Sequence, residues 1–170
     1  MSAKEWIKLE EDVAMRVTNP GVTPLEEMRN RSGLELLRDI ASGVLPVPPI
    51  GKTLNFFLLE ADEGRVVFQG TPTFDFYNPI GTIHGGWAAT LLDSCMGCAI
   101  HSTLKKGYGY TTVELKVNMV RPMSDKTGPV RAEGKVIHPG SQVATSEGRL
   151  YGPDGKLYAH GTTTCMIFEI

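Results

Sequence analysis

Charge of one sign, cysteine and uninterrupted apolar sequence are all scarce in this chain, and each scarcity excludes a class of protein. The 17 lysines and arginines are nearly matched by 19 aspartates and glutamates, giving a formal net charge of −2 and a pI near 6.1. The cations are scattered, so there is no electrostatic footprint for nucleic acid, and an anionic ligand has to be met locally. Cys95, Cys98 and Cys165 are odd in number and too few to staple a chain of 170 residues, which points to a reducing, cytoplasmic setting. The N-terminal stretch MSAKEWIKLEEDVAMRV alternates charged with apolar side chains and lacks the apolar core of a signal peptide. Ile83 to Leu104 is the one stretch that resembles a membrane span, but its length is marginal, and His84, Gly85, Gly86, Asp93, Ser94 and His101 interrupt it. It reads instead as a helix enclosed within a soluble protein. A Gly-x-Ser-x-Gly elbow, a Walker phosphate loop and the strand–helix alternation of a parallel nucleotide-binding sheet are absent as well.

What is present suits one globular domain with one core: 41% of residues are hydrophobic and 21% charged. To about Val44 the pattern is that of two helices. The second is expected to open at Thr23-Pro24-Leu25-Glu26, with Thr23 as cap, Pro24 in the first helical position and Glu26 at the capping-box spacing. Its apolar stripe is Leu25, Met28, Leu36, Leu37 and Ile40, weakened by Gly33, and it should end near Ser42-Gly43. Residues 45–52 form a proline-rich linker, whose missing amide donors keep the chain extended. From Thr53 the period becomes that of strands, with Leu54, Phe56 and Leu58, then Val66 and Phe68, around a turn at Asp62-Glu63-Gly64. Gly81 to Gly86 opens the long apolar helix, expected to end near Lys105-Lys106-Gly107. Four strand patterns follow, over 110–120, 129–138, 142–151 and 157–169, and read as a meander. The expected architecture is α+β: a curved antiparallel sheet wrapped around one long helix, with a helical extension at 1–44 and the main domain at 53–170.

The stretch from Asn78 to Asp93 carries the chemistry. A glycine pair opens a helix whose free amides and positive dipole end can receive a developing negative oxygen, and Gly85 and Gly86 permit close approach. Asp93 follows about two turns later, roughly 10 Å along the axis. Among Leu91, Leu92, Met96 and Ala99 an ionised carboxylate must be either paired or functional, because leaving it bare is costly. A structural aspartate bonded to backbone or a hydroxyl is the alternative reading.

These residues carry a family resemblance. Asn78, the run Gly81-Thr-Ile-His-Gly-Gly86 and Leu91-Leu92-Asp93 resemble the signature of the phenylacetate-degradation type of hotdog acyl-CoA thioesterases. Thr112 to Pro122 (TVELKVNMVRP) and Gly155 to Phe168 (GKLYAHGTTTCMIF) resemble that family's following strands, so the likeness covers about residues 53–170. The resemblance implies a hotdog fold and Asp93 as nucleophile or general base on the thioester carbon. It further implies Gly85 as oxyanion amide, Asn78 holding the attacking water or leaving sulfur, and Thr112 as a hydroxyl beside the carboxylate. His84 would shape the loop or bond across the subunit interface, with proton transfer as its alternative role. It also implies a homodimer, or a tetramer of two dimers, with sites between subunits. CoA phosphates would then be met near Gly86 and by Arg121, Ser141, Lys126, Arg131 or His138. CoA is part of the substrate, and no separate cofactor is implied.

Cys95-x-x-Cys98-x-x-His101 looks like a metal-ligand spacing but lacks a fourth ligand on its helix, so packed thiols are the expected reading and no metal is assigned. Phe74, Phe76 and Tyr77 suit core or a substrate channel. The functional expectation is acyl-CoA hydrolysis, with a hydratase on the same fold or a non-catalytic acyl-CoA binder as alternatives. Aryl-acetyl and medium-chain acyl groups both remain open. So does the role of the N-terminal helices, which could cap the channel, extend an interface or pack on the sheet.

Overall fold

The computed structural model describes residues 2–16 and 19–170, so Met1, Val17 and Thr18, which the N-terminal reading included, lie outside it. The elements are α1 Ala3–Arg16, α2 Leu25–Asn30, α3 Gly33–Ser42, α4 Pro49–Thr53, β1 Phe56–Asp62, β2 Arg65–Gly70, a 3₁₀ turn Phe74–Phe76, α5 Gly85–His101, β3 Tyr108–Met119, β4 Val130–His138, β5 Val143–Tyr151 and β6 Leu157–Glu169. The six strands form one antiparallel sheet in the order β1-β2-β4-β5-β6-β3. Helix α5 lies along its concave face and touches every strand.

Close approach of this helix depends on a row of glycines. Gly134 pairs with Gly148, and Gly148 with Gly161, across the three middle strands. A Cβ at Gly134 would stand 2.3 Å from the Cys95 carbonyl oxygen, and one at Gly148 would stand 2.8 Å from Met96 Cγ. The backbone of α5 therefore rests directly on β4, while Met96 packs over Gly148 of β5, where the Ser146 hydroxyl donates to the Met96 carbonyl at 2.9 Å. Leu91, Leu92, Met96 and Ile100 are wholly buried by this contact, and each contributes about 2 kcal/mol of apolar burial. Leu36, Leu37 and Ile40 of α3 join the same core beside Phe56 and Leu58 of β1, so the N-terminal helices share the interior of the sheet and helix.

The structure corrects several sequence expectations. The single helix over Leu25 to Ser42 is two, because Ser32 and Glu35 form a capping box: the Glu35 amide donates to Ser32 Oγ, and the Ser32 amide donates to Glu35 Oε2 at 2.8 Å. Pro24 is the residue preceding α2, and Thr23 makes no cap. The linker is extended only as far as the bridge of Val47 with Pro20; Pro48 and Pro49 then start the short helix α4, which delays the first strand to Phe56. Helix α5 stops at His101, before the lysine pair, as the last turn tightens to i−3 bonds and the Ser102 and Thr103 hydroxyls donate to the Ala99 and Ile100 carbonyls. Nor do the last four strands form a simple meander. Only β4, β5 and β6 do; β3 lies beyond β6, because α5 sits between the two halves of the sheet and has to be covered from both sides.

The end of α5 is tightly seated. Gly33 packs so closely on the His101 carbonyl that a Cβ there would overlap it, and the Gly33 amide donates to the Leu104 carbonyl at 3.0 Å. His101 is buried against the Tyr110 ring, and this desolvation lowers its pKa from 6.5 to about 4. The unfolded chain takes up a proton below about pH 6.5 that the folded chain refuses until about pH 4. Stability is therefore expected to fall on the order of 3 kcal/mol across that window. Denaturant unfolding at graded pH should show this slope in the parent protein and a shallower one in His101→Gln.

Candidate active site

Helix α5 was expected to be enclosed on all sides, but one stripe is open: Gly86 is exposed, and Ala89, Thr90, Asp93, Ser94 and Cys98 are half-buried. These residues recur at three- and four-residue spacing and so share a face. Asp93 is thus half-buried at the edge of the core. Its partner comes from β3. Thr112 Oγ1 donates to Asp93 Oδ1 at 2.9 Å and lies 3.8 Å from Cys165 Sγ. A bulge immediately after Thr112 explains its aim. Thr112 pairs with Cys165 and Glu114 with Thr164, leaving Val113 as the extra residue, so that Tyr110 and Thr112 face inward before it and Val117 after it.

Tyr110, two residues before Thr112 on the same face, completes this wall; the period of the strand signalled it, although the sequence reading did not use it. Its hydroxyl lies 3.9 Å from Cys98 Sγ, and its ring occupies the space over Gly97, where a Cβ would meet Cε2 at 2.6 Å. Burial pushes the Cys95 thiol well up and the Cys98 thiol up to about 12, so neither is poised as a thiolate ligand or nucleophile. Among the described residues no group of His, Cys, Asp or Glu is arranged to hold a metal ion. Asp93, Ser94, Cys98 and Tyr110 border a chamber of about 470 Å³ that runs from the open stripe of α5 toward the N-terminal helices.

The opening of α5 is built separately. Asn78 Oδ1 accepts from the amides of Ile80 and Thr82, both at 3.1 Å, and its Nδ2 donates to Thr82 Oγ1 at 2.9 Å. These bonds fix the loop and, among the described residues, leave one Nδ2 hydrogen without a partner. The loop is held to the rest of the protein by the Ile83 amide, which donates to the Met123 carbonyl, and by the bridge between Tyr77 and Ile83. His84 is the N-cap, and its Nδ1 accepts from the Gly86 amide at 2.9 Å. The two glycine amides therefore differ. Gly86 is engaged by the cap, whereas Gly85, the first helical residue, has no intrahelical acceptor. Phe76 stacks on Trp87 at 6.0 Å and packs on the core, while Phe74 is exposed.

Two groupings result within one chain: Asp93 with Thr112, and Asn78, His84, Gly85 and Gly86 at the helix opening. The eight residues from Gly85 to Asp93 rise about 12 Å, more than one thioester carbonyl can bridge. Arg121 is exposed just past β3, at the end of the sheet shared with Met119 and the helix opening. Ser141 is exposed at the other end, since Val143 pairs with Met166 and Met166 with Thr111. One chain does not bring the two together. Arg131 is no surface cation. It is buried under Trp6, with Cζ 4.0 Å from the ring centroid, and donates to Gln69 Oε1 at 3.0 Å.

A long helix laid in the concave face of an antiparallel sheet is the hotdog arrangement. The chain belongs to the thioesterase superfamily, whose family model matches residues 80–159. A protein of Saccharolobus solfataricus, named as an inferred esterase, is 34% identical over 120 residues, covering 71% of this chain and 84% of that one. The crystal structure of an inferred thioesterase of Ralstonia eutropha, described as related to phenylacetic acid degradation, is 30% identical with a TM-score of 0.69, covering 80% of this chain and 99% of that one. A Streptococcus mutans protein solved bound to acetyl CoA shares the fold at 22% identity and a TM-score of 0.61, covering 68% of this chain and 90% of that one.

The His84 cap is open to test. His84→Ala should lower unfolding free energy by about 1 kcal/mol, and His84→Asn, which restores a good cap, should recover most of it in denaturant titrations.

Proposed function

We propose that this protein hydrolyses acyl-CoA thioesters, with Asp93 acting on the thioester carbon. The observation that carries the reading is the Asp93 carboxylate, oriented by Thr112 at the border of an apolar chamber. In the proposed reaction water adds to the carbonyl carbon while Asp93 takes its proton, the C–S bond breaks, and the CoA thiolate leaves and is protonated. Direct attack by the carboxylate, followed by hydrolysis of the anhydride, gives the same products. The Gly85 amide would bind the oxyanion, and the free Nδ2 hydrogen of Asn78 would hold the water or the leaving sulfur.

On this reading the distance between the two groupings calls for a site shared by two chains. β3 supports that arrangement, being a twelve-residue edge strand that exposes Val113, Leu115 and Met119. Suppose a second β3 pairs antiparallel about Leu115 and Lys116. Met119, whose side chain lies beside the Gly85 Cα, then comes beside Thr112 of the other copy, and Arg121 comes to the same end as the other copy's Ser141. Such a composite joins one chain's oxyanion amide to the other's carboxylate and gives CoA phosphates a hydroxyl and a cation. A homodimer, or two dimers in a tetramer, follows. Among the described residues no helix is long and apolar enough to cross a membrane. The three free cysteines support a cytoplasmic setting.

Release of CoA from acyl-CoA, followed with a thiol reagent, tests the chemistry. Asp93→Asn should lower kcat about a thousandfold, and an unchanged rate removes Asp93 from the reaction. Gly85→Pro deletes the amide at a first helical position that accepts proline, after a His84 already extended at ψ 133. It should cost about a hundredfold in kcat with the fold retained. Mixed and refolded together, the two inactive variants should regain about a quarter of parental activity, since half the dimers are mixed and each mixed dimer holds one intact site. No regain would place both groups in one chain.

A further inference from the structure

The chamber beside Asp93 is walled largely by sequence outside the matched family region. Val13 and Ala14 of α1, Leu37 and Ile40 of α3, and Val47 and Ile50 around α4 form the side facing the β1–β2 hairpin, which contributes Phe56, Leu58 and Phe68. These side chains are aliphatic or aromatic. The charged and amide groups on the N-terminal side stand toward solvent: Lys52 and Asn55 are exposed, and half-buried Glu10 already accepts from Thr71 Oγ1 at 2.6 Å. Among the described residues no apolar side chain fills the space, and Asp93 is the carboxylate at its α5 border.

Size separates the two acyl classes that the sequence leaves open. A cavity of about 150 Å³ is enough to hold benzene, so 470 Å³ is about three times what a single aromatic ring requires. At roughly 25 Å³ per carbon on that scale, the chamber has an upper limit of about 19 carbons, reduced by its open mouth.

We propose that the N-terminal helices are the acyl-chain gauge of this enzyme, and that its substrate carries a straight saturated chain of roughly eight to sixteen carbons. The chain lies along Val13, Ala14, Leu37, Ile40 and Val47, with its thioester carbon at Asp93. This inference rests on the thioesterase reading for the position of the carbonyl, but the chamber and its occupant stand apart from turnover. Each methylene entering the apolar wall should raise kcat/KM about fourfold until the space is filled.

The test pairs turnover with binding. Initial rates are measured on saturated acyl-CoAs from two to eighteen carbons and on phenylacetyl-CoA, and free fatty acids of the same lengths are titrated against a bound fluorescent fatty acid. Both series should rise with length to an optimum between eight and sixteen carbons, with phenylacetyl-CoA well below it. Val47→Trp, at a half-buried position, should shift both optima shorter by several carbons and lower the twelve-to-four-carbon ratio at least tenfold. Ala14→Phe, on an exposed face of α1, should do the same if the first variant fails to fold. A flat length profile, a preference for phenylacetyl-CoA, or optima indifferent to both substitutions would overturn the proposal. Absence of CoA release from every thioester, with length-graded fatty acid binding retained, would instead overturn the hydrolase reading and leave the gauge standing.

Discussion

Contact between the backbone of α5 and the middle of the sheet is the constraint on which the rest of the structure depends. Gly134 and Gly148 lie opposite one another in register: Gly134 admits the helix backbone at Cys95 and Met96, and Gly148 makes room for the side chains of Met96 and Leu92. An ordinary side chain at either position would lift the helix off the sheet and open a void under Leu91, Leu92 and Met96, whose burial supplies much of the core. Because the helix is pressed down here, its rotation is set, and with it the stripe that remains open. Asp93, Thr90 and Ser94 share that stripe because Leu92, Cys95 and Met96 have taken the other side.

The same rotation decides what Asp93 meets. Thr112 reaches the carboxylate because the bulge at Val113 changes the face of β3 halfway along its length, leaving Tyr110 and Thr112 over the helix. Farther along, the strand leaves Leu115 and Met119 partly exposed at the edge of the sheet. On the proposed reading, one irregularity thus serves both purposes: it orients the carboxylate and leaves an apolar edge for a second copy. The helix opening shows a similar division of labour. His84 takes the Gly86 amide for its cap and so leaves the Gly85 amide as the unengaged donor.

The N-terminal segment changes character once the tertiary structure is known. Its apolar residues form a stripe, but a stripe does not name its partner. Leu36 points into the common core, while Leu37 and Ile40 also border the chamber that ends at Asp93. Arg131 shows the reverse. Its charge suggested a surface phosphate ligand, yet Trp6 of α1 covers it, since a guanidinium can stack on an indole while one of its nitrogens bonds an amide oxygen.

Local pattern alone determined much of this protein: the period-two runs of the hairpin and of β4 to β6, the long apolar helix with its glycine opening, and Asp93 as a carboxylate requiring explanation. Such features depend on neighbours within a few residues, whose spacing is written directly in the chain. The capping box at Ser32 and Glu35 is equally local, a Ser-x-x-Glu spacing that marks the start of a second helix within the apolar stripe. Tertiary structure alone decided that β3 crosses to the far edge, that two glycines from separate strands align beneath the helix, that Thr112 bonds Asp93, and that α1, α3 and α4 wall the chamber. Each joins residues far apart in the chain, and their meeting depends on which packing buries the most apolar surface without a clash, a property of the whole fold that no single segment carries.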